Sequence, residues 1–202
     1  MGVATTTRWN HNIHYHPLIR AAVGSGPGRR VLEVGCGAGG LARELRSAGA
    51  RVTAIDRHEP SIDTARLDPG GVEYVHGDFL RHPLPVESFD AVVSVAVLHH
   101  MDAAAGLRRM RQLVRPGGQV IVIGCARSEL PRDALWEALA VIAHRVQVRL
   151  LRRPLWEHSA PQVWPPPLTY REMRRIARRE LPGVRWRRRA LWRYSLVWTK
   201  PA

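Results

Sequence analysis

Histidines that follow apolar segments are the side chains of this 202-residue sequence best suited to acid–base chemistry. His99 and His100 follow a nearly continuous apolar run, residues 91–97. Histidine gains or loses a proton near neutral pH, so either side chain could take a proton from a bound substrate. His14 and Tyr15 form a second pair in the N-terminal segment, which we expect to lie over the same site. These four residues are the candidate catalytic groups.

A glycine-rich segment, residues 31–40 (VLEVGCGAGG), indicates ligand binding by the backbone. Its first residues form a short apolar run of strand type. Gly35, Gly37 and Gly40 follow with the GxGxxG spacing, and apolar residues then recur at helical intervals. A strand, a glycine turn and a helix in this order bring a nucleotide-like ligand against the N-terminus of the helix.

Two acidic residues near predicted strand ends narrow the choice of ligand. Glu33 lies two residues before the first glycine, where it would repel the pyrophosphate of a dinucleotide and attract a cation. S-Adenosylmethionine (SAM) carries a sulfonium and an ammonium group and has no phosphate. Asp56 lies 21 residues after Gly35, one β-α-β step further on, where an acid can bind both ribose hydroxyls. NAD contains the same ribose, so Asp56 indicates a ligand with a nucleoside but does not distinguish SAM from NAD.

In these residues the sequence resembles the class I SAM-dependent methyltransferases, specifically the ubiquinone/menaquinone-type small-molecule methyltransferases. Besides the acid before the glycines, the pattern FDxVxxxxxLHH over residues 89–100 and the RPGG turn at residues 115–118 are typical of that family. The resemblance implies SAM as cofactor and S-adenosylhomocysteine as product. It also implies that Asp78 binds the adenine amino group and that Phe79 flanks the ring. The cofactor-binding residues that it implies are Glu33, Gly35, Cys36, Gly37, Gly39, Asp56, Arg57, Asp78, Phe79, Val95 and Ala96.

The same resemblance implies an α/β fold, a Rossmann-like seven-stranded sheet of order 3-2-1-4-5-7-6 with the last strand antiparallel and helices on both faces. We expect a single domain over residues 1–202, with residues 1–7 frayed and an N-terminal helical cap within residues 1–30. Residues 127–168 are expected to form a helix, capped by Ser128, followed by a lid or substrate wall. A last helix is expected to begin at a capping box formed by Thr169 and the glutamate three residues later.

The implied reaction is an in-line SN2 transfer of the methyl group from SAM to a small acceptor, with a base needed only where the acceptor loses a proton. Trp9, Tyr15, Trp156 and Trp164 are the candidate pocket walls, which favour a flat, largely apolar acceptor. We therefore expect an aromatic or indole-bearing secondary metabolite. The sequence does not choose between carbon, nitrogen and oxygen as the methylated atom.

A net charge of +14 keeps an alternative open, namely an RNA methyltransferase or a basic nucleic-acid-binding protein that uses the arginine-rich C-terminal part. Thirty of the 31 basic residues are arginine, which is typical of a GC-rich genome and weakens this interpretation. In the last strand we expect Trp192, Tyr194, Leu196 and Trp198 on the core face and Arg193 on an exposed face. An NAD-dependent oxidoreductase is a further alternative, which Glu33 disfavours.

Cysteine content and the N-terminus indicate a cytoplasmic protein. Cys36 and Cys125 follow two predicted strands that are not neighbours, too far apart for a disulfide. No apolar run approaches the ~20 residues of a membrane helix, and the first residues do not resemble a secretory signal. His11, His14 and His16 lack nearby acids, so we expect no metal site. The expected partner is a small-molecule acceptor, and the expected assembly is a monomer or homodimer.

Overall fold

The computed structural model describes residues 9–24, 26–156 and 163–202; the expected frayed start and part of the expected lid lie outside these residues. In this part of the chain seven strands form one sheet: β1 (Arg30–Val34), β2 (Arg51–Asp56), β3 (Glu73–His76), β4 (Phe89–Val95), β5 (Val114–Gly124), β6 (Arg185–Arg189) and β7 (Arg193–Thr199). The α-helices are α1 (His16–Val23), α2 (Gly40–Ser47), α3 (Glu59–Arg66), α4 (Ala103–Leu113), α5 (Ala134–Arg145) and α6 (Tyr170–Glu180).

The strand order is β3-β2-β1-β4-β5-β7-β6, which confirms the predicted order. The first five strands pair in parallel, and β7 pairs antiparallel with both β5 and β6. Because successive strand residues point to opposite faces, the sheet contributes to two separate cores. Val92 packs with α4 and α6 on one face, whereas Val93 packs with α1, α2 and α3 on the other. The predicted helices on both faces are therefore confirmed.

The turn between β1 and α2 needs glycine at two positions where a side chain would collide with a neighbour. Gly35 and Gly39 both have left-handed backbone angles, with φ of +73° and +76°. A Cβ atom at Gly35 would collide with Val97, and one at Gly39 would collide with the Tyr74 ring. Gly39 is the N-cap residue of α2, so its conformation fixes where that helix begins.

The predicted RPGG turn lies inside β5 as a bulge. Phe89 of β4 pairs with Val114, but Ala91 pairs with Gln119, so the intervening residues loop out of register. Gly117 has φ +73°, and its amide donates to the carbonyl of Lys200 at 2.9 Å. The residues form a bulge because the end of the chain provides their hydrogen-bond partners.

The helix after β5 begins later than predicted. It starts at Ala134 with Asp133 in the N-cap position, and Ser128 does not cap it. The Ser128 hydroxyl instead donates to the carboxylate of Glu137 and accepts a hydrogen bond from Arg188 at 3.2 Å. The capping prediction was wrong because these distant partners engage the hydroxyl. Capping of α6 by Thr169 and Glu172 is confirmed, with both hydrogen bonds of the capping box present.

The exposed arginine face predicted for the last strand was wrong at Arg193. Tyr194, Leu196 and Trp198 are buried in one core, as predicted, and Trp192 lies in the turn before the strand. On the opposite face Ser195 is only 2% exposed. This face is covered because β7 is an interior strand and the N-terminal segment packs over it; Arg193 donates two hydrogen bonds to the Asn12 side chain, at 2.7 and 3.1 Å.

Candidate active site

A cavity of about 1830 Å³ runs along the edge of the sheet where the parallel strands end. Since β7 is antiparallel, its first residue lies at this same edge. The volume exceeds that of ordinary ligand pockets, about 300–1,000 Å³, so it has room for a cofactor and an acceptor together. Its lining includes most of the predicted cofactor residues: Glu33, Gly35, Cys36, Gly37, Asp56, Arg57, Asp78, Phe79, Val95 and Ala96. Gly39 does not line it.

Glu33 is the least satisfied polar group in the cavity lining. Its side chain is 3% exposed, and its Oε2 atom has no hydrogen-bond partner in the described structure. Burial, and secondarily the negative charge of Asp56, raise the pKa of Glu33 to about 8. The carboxyl group is therefore mostly neutral at pH 7, and a cation placed beside it would favour its ionised form.

Asp56 is held at the mouth of the glycine turn by two backbone amides. Its Oδ2 accepts a hydrogen bond from the Gly37 amide and its Oδ1 accepts one from the His58 amide, both at 2.8 Å. A carboxylate oxygen has two lone pairs, so each oxygen keeps one for the hydroxyl groups of a ribose. Gly37 lines the cavity with φ +51°, and a Cβ atom there would meet no atom within 4 Å. Ligand atoms can therefore approach the backbone closely at this glycine.

Asp78 and Phe79 follow β3 and line the same half of the cavity. Asp78 accepts the Leu80 amide at 2.8 Å through Oδ1, which fixes the carboxylate, while the Phe79 ring is 4% exposed. Together with the unpartnered oxygen of Glu33 and the open space at Gly37, this donor set fits SAM, because it offers carboxylates to the cationic and hydroxyl groups of that cofactor.

His99 and His100 lie on a short 3-10 turn after β4 and both line the cavity. Their rings are in contact, with centroids 4.1 Å apart and planes tilted by 40°. The Nδ1 atom of His99 lies 3.2 Å from the Cys125 Sγ atom. Burial, then the neighbouring His100 and Arg193, lower the pKa of His99 to about 4, while burial raises the pKa of the Cys125 thiol. Imidazole and thiol are thus both neutral at pH 7.

The catalytic candidates His14 and Tyr15 and the predicted pocket wall Trp9 lie outside the described cavity lining. Tyr15 is buried; its hydroxyl donates to the Ala190 carbonyl at 2.6 Å, and burial raises its pKa to about 12. His14 and Trp9 are also absent from the described cavity lining. Trp9 is 4% exposed, and its carbonyl accepts a hydrogen bond from the Trp156 amide at 2.8 Å. The Tyr15 side chain and the Trp9 backbone thus connect the N-terminal segment to the rest of the fold, which a helical pattern alone did not reveal.

The predicted Trp156 and Trp164 do line the cavity, and polar and aromatic residues that the sequence did not predict are also part of the lining. They include His11, Asn12, Trp192 and Arg193. The His11 Nε2 atom lies 3.0 Å from the His144 Nδ1 atom, and burial, followed by the positive charge of Arg193, lowers the pKa of His11 to about 4. One sequence signal could have located Trp192 and Arg193. The last strand was expected to be antiparallel, which places its start at the edge of the sheet where the parallel strands end.

No group of three or more potential metal ligands occurs among the described residues. In the same part of the chain, no helix has the length and apolarity to cross a membrane.

The strand order, the glycine turn with Asp56 beside it, and the acid after β3 are the arrangement of a class I SAM-dependent methyltransferase. Sequence comparison agrees with this class. Residues 32–122 match the family model for a methyltransferase domain. Over 196 residues the chain is 40% identical to an uncharacterized methyltransferase of Mycobacterium tuberculosis, covering 96% of this chain and 98% of that protein. The chain therefore belongs to the SAM-dependent methyltransferase family, and SAM is its cofactor.

More distant matches cover only part of the sequence or show only the fold. A ubiquinone biosynthesis O-methyltransferase of Aromatoleum aromaticum is 40% identical over 132 residues, 62% of this chain and 54% of that protein. Phosphoethanolamine N-methyltransferase 2 of Haemonchus contortus, solved with SAM, superimposes with a TM-score of 0.65 at 16% identity, over 96% of this chain and 53% of that one. A SAM-dependent methyltransferase from Aquifex aeolicus gives 0.62 at 17% identity, over 91% and 88%.

Proposed function

We propose that this methyltransferase transfers the methyl group of SAM to a small, flat, largely apolar acceptor, an aromatic or indole-bearing secondary metabolite. The supporting observation is the composition of the cavity over the ends of β4, β5 and β7. Trp192, directly before β7, lines it with the imidazole rings of His11 and His99, and Trp156 and Trp164 belong to the lining of the same cavity. Aromatic walls favour stacking with a planar ring system, which is worth about 0.5–1.5 kcal/mol per ring beyond the area buried.

The cofactor would be held over the ends of β1, β2 and β3. We assign the ribose hydroxyls to Asp56, the adenine to Asp78 and Phe79, and the cationic amino acid portion to Glu33, whose Oε2 atom has no partner in the described structure. When bound, SAM supplies a methyl group already activated by the sulfonium. The protein must then orient the acceptor and exclude water.

We propose His100 as the base for acceptors that lose a proton on methylation, with the His99 ring packed against it. Neutral His99 is fixed between the His100 ring and the Cys125 thiol, which would limit the orientations of the pair. A base next to the reacting atom typically contributes ~10²–10⁴-fold to the rate. For an amine acceptor that is already neutral, the pair would contribute much less.

A screen with isotope-labelled SAM tests the acceptor class. We expect methylated product from members of a panel of indoles, phenols and hydroquinones, detected by mass spectrometry. Trp164→Ala should raise the KM for the acceptor, whereas Trp136→Ala, a matched change on α5 outside the cavity lining, should not. Transfer to tRNA or rRNA, with no product from the aromatic panel, would refute the proposal in favour of the RNA methyltransferase alternative.

We also propose that the protein is cytoplasmic and acts as one domain. Cys36 and Cys125 are both free thiols, in keeping with a reducing compartment, and all seven strands belong to one sheet. The alternative interpretation as an NAD-dependent oxidoreductase was wrong, because the family uses SAM. Nucleic-acid binding by the arginine-rich C-terminal part stays a prediction, to be tested by the salt dependence of RNA binding.

A further inference from the structure

The two halves of the cavity differ in charge. All four carboxylates of the described lining, Glu33, Glu44, Asp56 and Asp78, belong to β1, β2, α2 or the loop after β3. Over the ends of β4, β5 and β7, the described lining contains no carboxylate, and its one permanent cation is Arg193. Adjacent strands lie about 4.8 Å apart, so β7, three strands from β1, is about 14 Å away. Arg193 is therefore remote from the acids of the cofactor half.

Arg193 is fixed in place by neutral groups alone. Its Nε and Nη2 atoms donate to the Asn12 Oδ1 atom, and its Nη1 atom donates to the carbonyls of Leu191 and Trp192 at 3.2 and 3.3 Å. These four bonds leave one of the five guanidinium N–H groups for another acceptor. No carboxylate of the described residues lies within 4.0 Å of it. By contrast, the nearby Arg188 has a partner in Asp133, 3.7 Å away.

The surroundings of Arg193 do not neutralise its charge. His11 and His99 also line this half, and Arg193 contributes to the low pKa of each ring, so both are neutral at pH 7. The carboxylate of Glu137 is engaged by the Trp192 indole N–H at 2.8 Å and by the Ser128 hydroxyl. A partly buried guanidinium without a counter-ion is costly, and an anion that enters the cavity would relieve that cost.

We propose that Arg193 is the anion-recognising residue of the acceptor subsite, and that the acceptor is an aromatic carboxylate whose acid group binds this guanidinium. The inference rests on the proposed function and deepens it, because it names the charged group that the flat acceptor carries. Arginine suits this role since its charge is permanent and its planar N–H groups match carboxylate geometry. The aromatic side chains around Arg193 would hold the ring while Arg193 sets its direction in the cavity.

Matched pairs of acids and amides test the inference. We would titrate the protein, preloaded with S-adenosylhomocysteine, with indole-2-carboxylate and indole-2-carboxamide, and with 4-hydroxybenzoate and 4-hydroxybenzamide, by calorimetry. In at least one pair the acid should bind roughly 10- to 100-fold more tightly, the range of a hydrogen bond to a charged group. The preference should disappear in Arg193→Gln and be partly kept in Arg193→Lys. Arg187→Gln, an equal loss of charge at an exposed position on β6, should preserve it.

Binding of S-adenosylhomocysteine separates the possible failures. It depends on the other half of the cavity, so each variant that still binds it retains the fold. If the unmodified protein does not bind it, the proposed function itself fails. If it binds but no acid is preferred over its amide, or the preference survives in Arg193→Gln, the role of Arg193 is refuted.

Discussion

Replacement of Glu33 by glutamine is the sharpest test of how the cofactor half works. In the ligand-free protein the pKa of Glu33 is about 8, so folding retains a proton that the unfolded chain releases near pH 4.5. The contribution of Glu33 to stability is therefore fully present below pH 4.5 and is lost as the pH rises to about 8. Glutamine does not titrate, so Glu33→Gln should not lose stability in this way. At pH 8 its melting temperature in thermal denaturation should be higher than that of the unmodified protein.

Cofactor binding should show the opposite dependence on pH. If SAM pairs with the ionised carboxylate, binding at pH 7 must release the Glu33 proton. The ionised fraction of Glu33 is about one half at pH 8 and about 0.01 at pH 6. The apparent Kd for SAM should therefore rise roughly 50-fold as the pH falls from 8 to 6. Calorimetry in buffers of different ionisation enthalpy would count the released proton directly. Glu33→Gln should bind SAM more weakly at pH 8 and lose this pH dependence.

The amino group of SAM also titrates and adds its own pH dependence to binding. Glu33→Gln retains that contribution and lacks the one from Glu33, so it is the reference. Equal pH dependence in the two proteins, or no proton release from the unmodified protein, would refute the assignment of Glu33 to the cationic portion of SAM. Asp56→Ala serves as a second control. It should weaken SAM binding through the ribose without abolishing the proton release at Glu33.

Three further predictions test the catalytic pair, the N-terminal segment and the glycine turn. His100→Gln should lower kcat by ~10²–10⁴-fold for a phenolic acceptor and leave S-adenosylhomocysteine binding unchanged in calorimetry; equal kcat values would contradict the assigned base. Tyr15→Phe should cost about 1 kcal/mol in the free energy of unfolding with no change in SAM affinity, and a changed affinity would place Tyr15 in the site after all. Gly39→Ala should cost about 1–3 kcal/mol in denaturant unfolding, more than Gly28→Ala, which has a similar φ of +79° but no neighbour within 4 Å.

The cofactor half could be predicted from the sequence because each of its parts is local. Glu33 and Gly35 lie at one strand end, and Asp56 follows one β-α-β step later, so parallel pairing alone brings them together. The strand order followed from the family pattern carried by the same segments. Ser128 shows where this reasoning ends: its capping role depended on whether a distant Glu137 or Arg188 would engage the hydroxyl, and no local pattern contains that information.

The half of the cavity over the ends of β4, β5 and β7 depends on contacts between segments that are far apart in the chain. Arg193 bonds to Asn12 across 181 positions, and the Asn10 side chain bonds to the Trp156 carbonyl across 146. The period-two pattern of β7 located the face of Arg193 correctly but not what covers that face, so a cavity residue was interpreted as a surface one. Since the two halves use different segments, the role proposed for Arg193 predicts that substitutions around it change the acceptor while the SAM site stays intact.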